Sequence, residues 1–152
     1  MTPELGVRGA ALLDVNMLIA LAWPNHVHHL RAREWFADNH LDGWATTPVT
    51  EIGFVRVSSN RAVIAASATP TVATDVLRAL TAQAGHQFWA DDVALVLGRD
   101  PAGTPPRSHG EVTDAHLLAL TRRRGGRLVT FDRGVARLLG DEDKGVLHVL
   151  SA

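Results

Sequence analysis

The chain has 152 residues, 46% of them hydrophobic and 20% charged, a balance that suits one soluble globular domain and argues against intrinsic disorder. It contains no cysteine, so disulfides, thiolate metal sites and cysteine nucleophiles are excluded. The formal net charge of −1 offers no global attraction to nucleic acid, and only Lys144 among the 15 basic residues is a lysine, a bias that fits phosphate ligation and a GC-rich genome equally.

Residues 1–9 carry no motif and read as a short N-terminal extension of a single domain spanning 1–152. Ala10 to Leu13 is an apolar run that stops at Asp14, the pattern of a buried strand ending in an acid. Val15 to Trp23 reads as a helix stopped by Pro24. The apolar stretch from Leu12 to Trp23 contains Asp14 and Asn16 and is too short to span a bilayer, so a cytoplasmic protein with no membrane association is expected. A second helix runs from about His26 to Asn39, with Leu30, Trp35 and Phe36 on its apolar stripe. Gly43 to Thr47 is a second strand, and Pro48 suits the first turn of the next helix, which carries Glu51, Phe54 and Val55.

Thr71 to Ala84 is a helical pattern with Val72, Val76, Leu77 and Leu80 on one side. His86 to Ala90 is a third strand, after which Asp91 or Asp92 would cap a short helix. Gly98 to Gly110, rich in Gly and Pro, is a surface loop. Glu111 to Arg124 is an amphipathic helix closed by Gly125-Gly126, and its end holds the densest basic cluster, Arg122 to Arg127. Arg127 to Phe131 is an apolar strand that again ends in an acid, Asp132. A short helix near Val135 to Leu139, a solvated turn at Asp141-Glu142-Asp143 and a strand from Val146 to Leu150 complete the chain. Strands alternating with helices imply an α/β sandwich around a mostly parallel sheet. The four tryptophans lie in or beside apolar elements, which favours core packing over base stacking.

The acids carry the chemistry. Ligands of open parallel sheets bind beyond the carboxyl ends of the strands, where Asp14 and Asp132 stand. Asp114 shares a helical stripe with Leu117, Leu118 and Thr121, and Glu51 precedes Phe54 and Val55 at helical spacing. An acid on a core-facing stripe is rare unless it is paired or binds a metal. Two like charges about 4 Å apart repel by roughly 1 kcal/mol in water and about 4 kcal/mol at a partly buried site. Four converging carboxylates therefore require protonation or a divalent cation. Oxygen-only ligands suit Mg²⁺ or Mn²⁺, and such an ion activates water for hydrolysis of a phosphodiester.

Four segments resemble, in order, the motifs of PIN-domain ribonucleases of the VapC toxin class: Leu12 to Leu21, Thr50 to Val57, Thr113 to Leu120 and Leu128 to Asp132. The resemblance spans Leu12 to Leu150. It implies a PIN-like three-layer sandwich and a Mg²⁺-dependent endoribonuclease, with Mn²⁺ able to substitute, whose catalytic and metal-binding acids are Asp14, Glu51, Asp114 and Asp132. Asn16 and Thr130 occupy positions that support the acid cluster in that family. It further implies a toxin that cuts RNA and inhibits translation, a homodimer, and a heterotetramer or larger complex with a VapB-type antitoxin. An arginine from the antitoxin would enter the acidic pocket.

The rivals are weaker. A haloacid-dehalogenase-like phosphatase would place a second aspartate where this chain has Asn16, and a response-regulator receiver would place a lysine after a late strand. His26, His28 and His29 could suggest zinc, but they sit together at a helix start without a distant partner pair. A non-cleaving RNA-binding PIN domain would gain nothing from an acidic pocket beside phosphates.

Overall fold

A computed structural model describes residues 9–62, 68–94 and 103–151. Five strands, β1 (Ala11–Leu13), β2 (Trp44–Thr46), β3 (His86–Phe88), β4 (Arg127–Thr130) and β5 (Leu147–Val149), form one sheet in the order β3-β2-β1-β4-β5. Every pairing is parallel, so the expected mostly parallel sheet is wholly parallel. The helices are α1 (Val15–Ala22), α2 (His29–Asn39), α3 (Pro48–Ser58), α4 (Pro70–Thr81) and α5 (His109–Arg124), with 3-10 turns at His40–Asp42 and Arg133–Leu138. Of the N-terminal extension only Gly9 is described, and residues 98–102 of the expected loop also lie outside the described residues.

Local sequence explains where the helices begin and end. Asp14 caps α1 by accepting from the Val15 N–H, and Thr47 with Thr50 forms a capping box ahead of Pro48 on α3. Thr69 caps α4 in the same way before Pro70. Gly125, at φ 65°, takes the left-handed conformation that ends α5.

Alternation along the strands sorts the core into two layers. Ala11, Leu13, Trp44 and Val129 face a cluster built from α1, α2, α3 and α4, including Met17, Leu18, Phe36, Phe54 and Leu77. Leu12, Ala45 and Leu128 face the other side, against Leu117, Leu118 and Leu120 of α5 and Val135 and Leu138 beyond β4. The result is a three-layer sandwich. Trp35, Trp44 and Trp89 are buried, and Trp23 stacks on Phe54 while its indole N–H donates to Ser58, so the core-packing reading of the tryptophans holds.

Four local expectations are corrected. The second helix starts at His29 rather than His26, and Leu30 is 81% exposed, its place in the core taken by Ala32. Val72 is exposed while Ala73 is buried, so the core-facing stripe of α4 is Ala73, Leu77 and Leu80. Residues 91–94 are not helical, and Asp91 and Asp92 bind α5 side chains instead of capping a helix there. Asp143 is not in a solvated turn: its side chain is 3% exposed and accepts two bonds from Arg122, which in turn is not a solvated helix end.

Gly126 lets β4 enter the sheet, since a Cβ there would lie 2.4 Å from the Ala10 carbonyl oxygen and 2.7 Å from the Trp89 ring. Overpacking against backbone costs about 1–3 kcal/mol. Gly126→Ala should therefore lower the urea unfolding midpoint by a corresponding amount without changing the m-value.

Candidate active site

The parallel strands end together, and the turns that follow β1 and β4 carry Asp14 and Asp132. Asp14 is 7% exposed, and its two oxygens are held differently. Oδ1 accepts from the Val15 N–H at 2.8 Å, and Oδ2 accepts from the Thr130 hydroxyl at 2.8 Å. Thr130, the last residue of β4, is fully buried, and its hydroxyl also accepts from Asn16 Nδ2 at 2.9 Å and from the Asp132 N–H at 3.1 Å. Asn16 Oδ1 accepts from the Phe131 N–H at 3.1 Å. One threonine hydroxyl thus links the ends of two adjacent strands to both of their aspartates. Asp132 uses Oδ1 to cap the following 3-10 turn at Gly134.

Asp114 comes from α5, on the same side of the sheet as Leu12 and Leu128. Its carboxyl is half-buried and its pKa is pushed up to about 6, first by burial and then by the charges of Asp14, Asp132 and Glu111. The Asp14 pKa is also raised: burial outweighs the Thr130 and Val15 hydrogen bonds, and Asp132 adds repulsion. Asp14, Asp114 and Asp132 are therefore one electrostatic group, drawn from β1, α5 and β4.

Glu51 is not among the charges that raise either aspartate. It lies in the first turn of α3, where Oε2 accepts from the Thr46 hydroxyl at 2.7 Å. Thr46 Oγ1 lies 2.8 Å from Nε2 of His86, whose pKa is lowered by burial and raised to a lesser degree by Glu51. Neither Thr46 nor His86 stands out in the sequence as a site residue. The one available signal was positional, since Thr46 closes β2 as Thr130 closes β4.

Among the described residues no arginine or lysine forms an ion pair with any of these four acids. The arginines of α5 and of the 3-10 turn after β4 that form ion pairs do so with other acids: Arg122 with Asp143, Arg123 and Arg124 with Asp92, and Arg137 with Glu111. Nor do three or more histidines and acids of the described residues close tightly enough to hold an ion by themselves. The donors available are carboxylate oxygens, which suit a hard cation that keeps much of its water. Protons and a divalent ion are then the two ways to relieve this repulsion.

The sequence profile of the PIN domain matches residues 11–139. Ribonuclease VapC39 of Mycobacterium tuberculosis is 54% identical over 140 residues, covering 92% of this chain and 99% of that protein. Ribonuclease VapC38 of the same organism is 53% identical over 141 residues, covering 93% and 98% respectively. Among solved structures, the crystal structure of Mycobacterium tuberculosis VapC20, described as a toxin that cleaves the sarcin–ricin loop, superposes with a TM-score of 0.58 at 15% identity. It covers 84% of this chain and 93% of VapC20, and at that identity the likeness speaks to the fold.

Two outcomes test the geometry. A carboxyl whose pKa is raised in the native state binds its proton more tightly than the unfolded chain does, so stability is lost as pH rises through the window between the two values. The metal-free protein should lose stability between about pH 4 and pH 6, and Asp114→Asn should flatten that slope in thermal melts across the same range. Thr130→Val strands the buried Asp14 oxygen and the Asn16 amide, and should cost about 1–3 kcal/mol in denaturant unfolding, with Thr130→Ser recovering most of it.

Proposed function

The chain belongs to the PIN-domain family and, within it, to the VapC ribonucleases, and from that premise we propose that it is a Mg²⁺-dependent endoribonuclease toxin acting on RNA phosphodiesters. The observation that carries the reading is the group Asp14, Asp114 and Asp132: three carboxylates at the carboxyl edge of a parallel sheet, two of them with raised pKa values and none with a cationic partner among the described residues. A structural ion-pair network would have supplied an arginine. Among the described residues no arginine pairs with this group, Arg133 beside Asp132 included.

Asp14, Asp114, Asp132 and Glu51 are proposed to hold the ion, with Mn²⁺ able to replace Mg²⁺. Mg²⁺ is commonly bound through only one or two carboxylates plus water and phosphate oxygens, so a closed cage of side chains is not needed. When bound, the ion supplies Lewis acidity that polarises the phosphodiester and activates water for attack. The chain's own residues orient and restrain. Thr130 and the Val15 N–H fix the Asp14 carboxyl, and Asn16 fixes Thr130. The Gly134 N–H takes one oxygen of Asp132 and leaves the other available. Burial of Asp14 excludes water from one side of the group and strengthens every charge interaction within it.

The substrate is RNA, and cleavage would inhibit translation. The partners proposed are a second copy of the chain and a VapB-type antitoxin, joined in a heterotetramer or larger complex, with an antitoxin arginine neutralising the acidic pocket. A cytoplasmic location accords with the absence, among the described residues, of a helix long and apolar enough to cross a membrane.

Fragment mapping of total RNA with purified protein tests this reading. Wild-type protein with Mg²⁺ should release defined fragments, and EDTA should abolish them. Asp114→Asn should fold, cut at least about 100-fold more slowly, and lose nothing further in EDTA. Equal cutting by both proteins would overturn the metal mechanism. RNA retained in EDTA with no fragments under any condition would point to a domain that binds without cleaving.

A further inference from the structure

We propose that His86 is a positioning residue for the nuclease site: its Nε2–H donates to the Thr46 hydroxyl, which commits its one proton to Glu51 and so sets the orientation of that carboxylate. The inference rests on the reading of Glu51 as one of the site acids. The hydrogens follow from the heavy atoms. Thr46 is fully buried, with its Oγ1 2.7 Å from Glu51 Oε2 and 2.8 Å from His86 Nε2. A carboxylate accepts and cannot donate, and a hydroxyl has a single proton, so that proton lies toward Oε2. Nε2 must then carry hydrogen, since otherwise two lone pairs would face each other across 2.8 Å. This holds whether the ring is neutral or protonated.

The strands place the imidazole for this contact. β3 runs parallel to β2 with His86 in register with Trp44, and Trp44 and Thr46 point to the same face of β2. The Trp44 ring lies 4.7 Å from the imidazole at 58°, which restricts its rotation, and Trp44 itself is fully buried and held by Ala84 through its indole N–H. Glu51 is thereby referred to β2 and the edge strand β3 rather than to the flexibility of its own side chain.

The same device occurs on the other side of the site. There Asn16 Nδ2–H donates to Thr130, and Thr130 donates to Asp14 Oδ2. In each case an N–H donor from a different element saturates a strand-terminal threonine, leaving its hydroxyl proton only the acid to serve. Fixing the second partner of a ligand in this way commonly alters metal affinity by about 10–100-fold.

The test uses the full-length protein and reads Mg²⁺ binding by titration calorimetry, with circular dichroism to confirm folding. His86→Leu should weaken Mg²⁺ binding at least about 10-fold, Thr46→Val should do the same, and His86→Gln, whose amide N–H can reach Thr46, should restore most of the affinity. In wild-type protein, the ¹⁵N shifts of His86 should report a proton on Nε2. A ring carrying its proton on Nδ1 alone overturns the proposal even if His86→Leu fails to fold, and so does wild-type affinity in folded His86→Leu. Glu51→Gln separates the two levels: if it loses Mg²⁺ binding while His86→Leu does not, only the role of His86 falls. If Glu51→Gln binds and cuts as wild type does, Glu51 leaves the site and His86 with it.

Discussion

Repulsion among carboxylates at one edge of the sheet is the constraint around which this molecule is arranged. Asp14 is buried at the end of β1, Asp132 follows β4, and Asp114 leans in from α5, so Asp132 raises the cost of ionising Asp14, and both raise that of ionising Asp114. Among the described residues no arginine or lysine pairs with the group. Arg122, Arg124 and Arg137 are close in sequence to Asp114 or Asp132, yet each is tied to a different acid: Asp143, Asp92 and Glu111 respectively. Those pairs do structural work. Arg122 with Asp143 ties α5 to the turn before β5, and Arg137 with Glu111 ties the 3-10 turn to the start of α5. These pairs hold α5 in place and so keep Asp114 in the group.

Threonine mediates between sheet and acids. At a strand end the side chain is rigid through β-branching and buried by its neighbours, so its hydroxyl is a fixed donor. Thr130 and Thr46 both serve in this way, one toward Asp14 and the other toward Glu51. They lie on opposite faces of the sheet, which makes the candidate site straddle the carboxyl edge: three aspartates belong to the α5 layer, and Glu51 belongs to the layer of α1 to α4. Catalytic geometry of this kind needs strand ends held in register, and parallel pairing of β1 with both β2 and β4 provides it.

Periodicity was a reliable guide to element type and a poor one to which side of an element is buried when small and large apolar residues compete. In α2, Leu30 looked like part of the stripe with Trp35 and Phe36, but Ala32 occupies the core and Leu30 faces outward. In α4, Val72 is exposed and Ala73 is buried with Leu77 and Leu80. Asp143 reads as one more acid in a solvated Asp-Glu-Asp turn, because its partner Arg122 is 21 residues away and nothing local announces the pair.

Composition, alternation and caps were enough to establish an α/β sandwich with a largely parallel sheet, to place acids at the ends of two strands, and to single out Asp114 and Glu51 as charges on apolar stripes. Those are local properties, set by backbone periodicity and by the cost of burying charge, and they can be read along the chain. Which acids feel one another, which arginines are already engaged, and that Thr46 and His86 stand behind Glu51 were decided by contacts between distant segments. The Thr130–Asp14 bond joins residues 116 apart and the Thr46–His86 bond residues 40 apart. A spacing along the chain gives the face of an element but not what lies across from it, because that depends on strand order and register, which only the packed sheet supplies.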